Sequence, residues 1–164
     1  MTKRYGMCYM GSKSQIAPQL VDYMLNRHPE KNIFIDCCCG GFAISHYILE
    51  NYKSVRVIAN DFNSALMGLY DTLFNKPDEF IKAKEEIQYN FVDRDTYNEC
   101  LDKNDVKSVL TKYCYSFGGQ PTKHYLFGRD IELQKELLSN LLVYGNDYKK
   151  KNELLFDLID AVNL

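Results

Sequence analysis

Two acids that bracket a pair of glycines are the residues here best placed to do chemistry. In the run Asp36-Cys37-Cys38-Cys39-Gly40-Gly41-Phe42-Ala43-Ile44 an acid precedes a glycine turn. Asp61 follows about 20 residues beyond Gly41, the spacing at which an acid meets ribose hydroxyls. Glycine lets a backbone turn sharply beside a ligand, where a Cβ would collide. The turn is not a full Gly-x-Gly-x-x-Gly pattern, since Phe42 and Ile44 stand where pyrophosphate-binding turns want glycine. On these residues alone a dinucleotide site fits nearly as well as any other. An acid directly before the turn disfavours phosphate, however, and favours a ligand carrying a cationic group. The plainer reading is that Asp36 caps the turn and Asp61 the helix after it.

The elements that must hold these residues follow from hydrophobic spacing. Ile33-Phe34-Ile35 reads as a short buried strand ending at Asp36, and the glycine turn leads into a helix from about Ala43 to Tyr52. Val55, Val57 and Ile58 make a second strand ending at Asn60-Asp61, and a helix follows from about Ser64 to Phe74. Strand, glycine turn, helix and strand in that order form a βαβ unit whose parallel strands need a right-handed crossover. The fold class expected is α/β, a partial doubly wound, Rossmann-like sheet. Before it, Ser14 can cap a helix to about Asn26 with Ile16, Leu20, Met24 and Leu25 on one face, Pro18 being tolerated near the helix start.

The middle of the chain changes character. Pro77 to Tyr89, then roughly Tyr97 to Tyr115, read as helices of mixed charge, a helical insertion on one edge of the sheet. Residues 116–129 are turn-rich, aromatic and basic. Ile131 to Leu142 resumes a helix, Leu142-Val143-Tyr144 could be a third strand, and Asn152 caps a last helix through Leu154, Leu155, Leu158, Ile159 and Val162. One domain is expected, divided into 1–75 (a ligand-binding βαβ unit), 76–140 (the insertion) and 141–164 (strand and helix).

Composition narrows the classes. A chain of 164 residues with 46% hydrophobic content can bury one ordinary core. No apolar run approaches the roughly 20 residues of a membrane span, and no apolar stretch follows Lys3 and Arg4, so a cytoplasmic location is expected. Three of the six cysteines are consecutive, unlike a secreted disulfide framework. Cys8, Cys100 and Cys114 are isolated, and His28, His46 and His124 form no pair at ligand spacing, so no metal is expected and the thiols read as apolar fillers. A net charge of −2 does not exclude nucleic acid, because a local basic patch is what matters.

Three ordered motifs make the reading specific. Tyr9-Met10-Gly11-Ser12-Lys13, then Phe34 to Ser45, then Val57 to Asn63 resemble the Dam-like (alpha-group) adenine-specific DNA methyltransferases, in particular phage-type members. That family has an aromatic-x-Gly-x-Lys segment, an acid-x-Phe-x-Gly-Gly turn and an Asn-Asp strand end, in this order. Cys38 replaces the usual Phe. The resemblance implies S-adenosylmethionine as cofactor, whose ammonium and sulfonium suit the acids. It assigns Tyr9 and Lys13 to the cofactor, Asp36 and Gly40 to its methionine end, and Asp61 to its ribose. More loosely, 116–129 resembles a DNA-contacting hairpin of phage members, in which Lys123, His124 and Arg129 would meet phosphates beside Tyr115 and Tyr125. A solvated loop is the competing reading.

The resemblance covers roughly residues 5 to 148 and lacks the family's Asp-Pro-Pro-Tyr signature, for no two of the four prolines are adjacent. That signature accepts the hydrogens of the adenine amine and stacks the flipped base. The chain is therefore expected to be a truncated, cofactor-binding portion of a DNA adenine methyltransferase, inactive alone, with DNA and a catalytic-half polypeptide as partners. The alternative is a truncated methyltransferase-fold protein of phage or mobile-element origin that binds a protein, such as a host defence system it inhibits. A different nucleotide-binding enzyme would need a general base, for which only His46 or His124 offers itself.

Overall fold

The structure, a computed structural model, describes residues 3–89, 92–119, 124, 125, 136, 139, 140 and 153–155. It is a mixed α/β arrangement with three parallel strands in the order β1-β2-β3. These are β1 (Ile33–Asp36), β2 (Arg56–Asn60) and β3 (Glu153–Leu155). Ile35 stands opposite Ile58 and Asp36 opposite Ala59, while Asn60 pairs with Leu155 on the other side. Helices α1 (Ala17–Arg27) and α2 (Ala43–Asn51) flank β1 in sequence, and α3 (Ser64–Asn75), α4 (Pro77–Tyr89), α5 (Arg94–Cys100) and α6 (Val106–Cys114) lie between β2 and β3.

The core forms where the helices after β2 converge. Leu66, Met67, Leu69, Tyr70, Leu73 and Phe74 of α3 are buried, and α4 and α6 pack against that helix and each other through Phe80, Ile87, Val109, Leu110 and Tyr113. Each helix of this group starts at a local signal. Asn63 accepts the Leu66 N–H at 3.1 Å, and Asp93 and Asp105 cap α5 and α6 through Thr96 and Ser108 N–H. The expected helical stretch from Tyr97 to Tyr115 is thereby split, because Asp105 opens a new helix.

Four expectations are corrected. Ser14 does not cap α1: Ile16 occupies that position without a side-chain bond, and Ser14 Oγ accepts the Tyr5 N–H at 2.7 Å. The buried face of α1 is Ala17 and Val21, with Leu25 packed beside them, whereas Ile16, Leu20 and Met24 are exposed. Small residues on that face let α1 approach α2, and Asp22 accepts the hydroxyls of Tyr47 and Tyr52. The strand β1 is not buried, since Ile33 and Ile35 are each about half exposed on the sheet's first strand. Finally, Glu153–Leu155 is a strand extending the sheet beyond β2, not the start of a helix capped by Asn152. A short apolar run such as Leu154-Leu155 suits both periods, and pairing with Ala59 and Asn60 decides it. The strand expected at 142–144 and most of the helix expected at 131–142 lie outside the described residues, although Glu136, Ser139 and Asn140 are helical.

The N-terminal segment is fixed to this frame through His46. That imidazole is buried, and its Nδ1 accepts the Gly6 N–H at 2.8 Å. Burial lowers its pKa to about 4, only partly opposed by Glu50. The unfolded chain therefore binds a proton that the folded chain refuses, so this histidine's stabilisation is complete above its ordinary range near 6.5 and is lost as pH falls towards 4. Replacing His46 with Asn keeps an acceptor for Gly6 but removes the titration. Chemical denaturation from pH 7 to pH 4 should show the wild type losing on the order of 3 kcal/mol more than His46→Asn. Parallel pH profiles would show that His46 does not carry this dependence.

Candidate functional site

The glycine turn, the end of β2 and the N-terminal segment meet at one place. β1 delivers Asp36 and β2 delivers Asn60 and Asp61, because parallel neighbours end on the same side. The strand ends are stitched together: Cys39 N–H donates to the Asn60 carbonyl at 2.8 Å, and Asn60 Nδ2 to the Cys37 carbonyl at 3.0 Å. Asp61 then reaches back across the turn. Its Oδ2 accepts the Gly40 N–H at 2.8 Å and its Oδ1 the Asn63 N–H at 2.9 Å. Asp61 is thus no simple helix cap, since Asn63 performs that role for α3.

The turn is held in a conformation that side chains resist. Gly40 has φ +45°, and a Cβ there would stand 3.1 Å from the Tyr9 ring. A Cβ on Gly41 would lie 2.7 Å from the Met7 carbonyl oxygen. Phe42 carries φ 64°, a left-handed conformation costly for a residue with a Cβ. Its ring is fully buried against Tyr70 and Phe74, with centroids 4.7 and 5.4 Å away, and this packing offsets the strain. Tyr70 adds a hydrogen bond from its hydroxyl to the Gly40 carbonyl at 2.6 Å.

Electrostatically the site is acidic. Burial raises the pKa of Asp36, and Asp61 raises it further, while a hydrogen bond from Ser45 Oγ at 2.6 Å works the other way. Burial and then Asp61 likewise raise the pKa of Tyr9. Among the described residues neither carboxylate is in an ion pair. Asn60 is buried with its Oδ1 unpartnered. A cradle of glycine backbone, two carboxylates without a cation and an orphaned amide oxygen suit a ligand with a cationic group and hydroxyl donors. S-adenosylmethionine has both.

Of the residues expected at the site, Tyr9, Asp36, Gly40 and Asp61 come together. Lys13 is exposed and donates to the Gly11 carbonyl at 2.7 Å, so its ammonium is bonded within its own turn. His124 is exposed, and its carbonyl accepts the Phe117 N–H at 3.1 Å. Lys123 and Arg129 lie outside the described residues. Sequence reasoning missed Tyr70 and Tyr113. Tyr113 comes from α6, accepts a hydrogen bond from Asn63 Nδ2 at 3.0 Å, and has its ring 6.0 Å from that of Tyr9. Nothing near Tyr113 in sequence announces this. Tyr70 carried a signal, since it lies on the apolar face of α3 with a hydroxyl that needs a buried partner. His46 is buried and engaged with Gly6, so it offers no general base here.

Comparison with known proteins identifies the family. The family model described as D12 class N6 adenine-specific DNA methyltransferase matches residues 9–153. A curated relative, the Type II methyltransferase M.MjaIII of Methanocaldococcus jannaschii, is 28% identical over 190 residues of alignment, which takes in 93% of this chain. The chain spans 64% of that relative's length.

The acid pair makes a prediction about stability. Because the folded-state pKa of Asp36 is raised, its ionisation at neutral pH is a cost to the fold, incurred as pH rises through the carboxylate range. Asp36→Asn removes that cost and leaves an oxygen for Ser45 to donate to. Its melting temperature should exceed the wild type's at pH 7, and the advantage should shrink as the wild-type acid is protonated at low pH. A variant that melts lower at pH 7 would contradict the electrostatic account.

Proposed function

Because the chain belongs to the D12 class N6 adenine-specific DNA methyltransferase family, we propose that it is the S-adenosylmethionine-binding portion of a DNA adenine methyltransferase, and that these 164 residues alone do not methylate adenine. The observation that carries the first part is Asp61 bonded to the Gly40 N–H, with Asp36 near enough that the Asp61 charge adds to burial in raising the Asp36 pKa. Such a pair is stabilised by a bound cation, and the cofactor would bring one together with its transferable methyl group. On this reading Asp61 meets the ribose hydroxyls, Asp36 and Gly40 line the methionine end, and Tyr9 and Lys13 lie against the cofactor. Lys13 would have to leave the Gly11 carbonyl to do so.

Residues 1–75 would form the cofactor-binding unit of a doubly wound sheet, 76–140 an insertion facing DNA, and 141–164 the strand and chain that follow. Lys123, His124 and Arg129 would contact phosphates, placing the duplex without reading its sequence. The second part of the proposal rests on chemistry absent from the sequence. The exocyclic amine of adenine is a poor nucleophile, and the family signature supplies acceptors for its hydrogens and a ring on which the flipped base stacks. The four prolines here are Pro18, Pro29, Pro77 and Pro121, none adjacent to another.

One set of measurements tests both parts. Calorimetry should show S-adenosylmethionine binding, and Asp61→Ala should weaken it roughly ten- to a hundredfold, the loss expected for a charged hydrogen-bond acceptor. Radiolabelled cofactor incubated with adenine-containing DNA should leave no label above background. No heat with the wild type, or equal affinity in the variant, rejects the cofactor assignment. Label in DNA that Asp36→Ala abolishes rejects the claim of inactivity.

A further inference from the structure

Helix α1 is apolar on two adjoining faces, and the fold uses one of them. Ala17 and Val21, with Leu25 beside them, pack against α2. Ile16, Leu20, Tyr23 and Met24 are spaced i, i+4, i+7 and i+8, so they stand within about a third of the helix circumference, next to that packed face. These four side chains are 49, 39, 60 and 39% exposed. A surface helix normally carries one apolar stripe, and a helix apolar on both sides is normally covered on both. α1 cannot turn to bury its second stripe. Asp22 accepts the hydroxyls of Tyr47 at 2.9 Å and Tyr52 at 2.6 Å, which fixes the rotation of the helix on α2.

Positive charge marks both ends of the exposed stripe. At one end Arg27 lies over the Tyr23 ring, 5.2 Å from its centroid, and donates to its hydroxyl. At the other the Lys13 carbonyl accepts the Ile16 N–H at 3.0 Å, so this exposed lysine stands where the helix begins. The exposed polar residues between them, Gln19 and Asn26, are uncharged, and the one acid of α1, Asp22, is engaged by the tyrosines. Glu30, beyond the helix, lies 3.8 Å from Lys31.

We propose that this face of α1 docks an amphipathic helix of a partner protein, its apolar side chains against Leu20, Tyr23 and Met24 and its acidic residues toward Lys13 and Arg27. The spacing is that by which one helix lies along another. Tyrosine and arginine are the residue types that most often carry the binding energy of such surfaces. The charges decide among occupants. Two copies of α1 laid antiparallel would set each Arg27 against the other's Lys13, and laid parallel they would set like against like, so a second copy is repelled. A lipid surface selects a helix with Lys and Arg along its polar face, where α1 offers Gln19 and Asn26. An acidic helix matches both ends. The surface uses no group of the acidic turn, so it goes beyond the function proposed above and is tested separately from it.

The probe is a fluorescently labelled synthetic helix with leucines at helical spacing and glutamates at both ends, and its control has lysines in place of the glutamates. By anisotropy the acidic probe should bind the full chain, and the basic one roughly tenfold or more weakly. Leu20→Gln and Met24→Gln should each weaken the acidic probe about tenfold or more, as for an interface hot spot, and should melt no lower than the wild type because both positions face solvent. Arg27→Glu should reverse the order of the two probes. Affinity for S-adenosylmethionine should be the same in all three variants, and amide exchange should slow over residues 16–27 in the complex. The proposal is overturned if neither probe binds, if both bind alike, if the variants change nothing, or if exchange slows only elsewhere. Sedimentation showing a dimer that Leu20→Gln dissolves would give the face to a second copy, and binding to anionic vesicles that Leu20→Gln abolishes would give it to a membrane; either result overturns the proposal. A wild type that binds the acidic probe but no S-adenosylmethionine would reject the cofactor assignment and leave this surface standing.

Discussion

The arrangement depends on one close approach of backbone to backbone. Met7 N–H donates to the Gly41 carbonyl at 2.7 Å, and this contact exists only because the chain carries no side chain where the segments cross. A Cβ on Gly6 would lie 2.0 Å from the Gly41 oxygen, and a Cβ on Gly119 would lie 2.1 Å from the Cys8 oxygen. Both glycines also have positive φ, so a substituted residue would meet strain as well as collision. The N-terminal segment is thus clamped between the turn after β1 and the chain after α6. Tyr9 is held beside Gly40 within that clamp.

Around this contact the acidic groups gather. Asp36, Asp61 and the orphaned Asn60 oxygen stand at the glycine turn, where Asp61 accepts the Gly40 N–H. Tyr9 and Tyr113 lie beside them, their rings 6.0 Å apart.

Much of the acidic turn could be read from the sequence because its logic is local. An acid, two glycines and a second acid at the end of the next strand lie within one βαβ unit, so spacing suffices to bring them together. Spacing fails where a position has two available partners. Ser14 has the composition of a helix cap, but the Tyr5 N–H lies across from it and takes the hydroxyl. Ile16, Leu20 and Met24 form a regular stripe, yet α2 accepts the smaller Ala17 and Val21 because close packing of two helices favours them. Leu154-Leu155 fits either period and is settled by the open side of β2. Tyr113 could not be read at all, for its role depends on a contact with Asn63, 50 positions away.

The clamp on the N-terminal segment also sets an order of events during synthesis. Residues 5 to 9 are made well before the second jaw of their clamp, Gly119, which follows more than a hundred residues later. At ordinary elongation rates that is a wait on the order of 10 s. Until then the segment has only the Gly41 side to rest on, and the contact that completes it closes one of the longest loops the chain can form. The N-terminal segment is therefore made long before the partner that fixes it, and it takes its final place only after α1 to α6 have been synthesised.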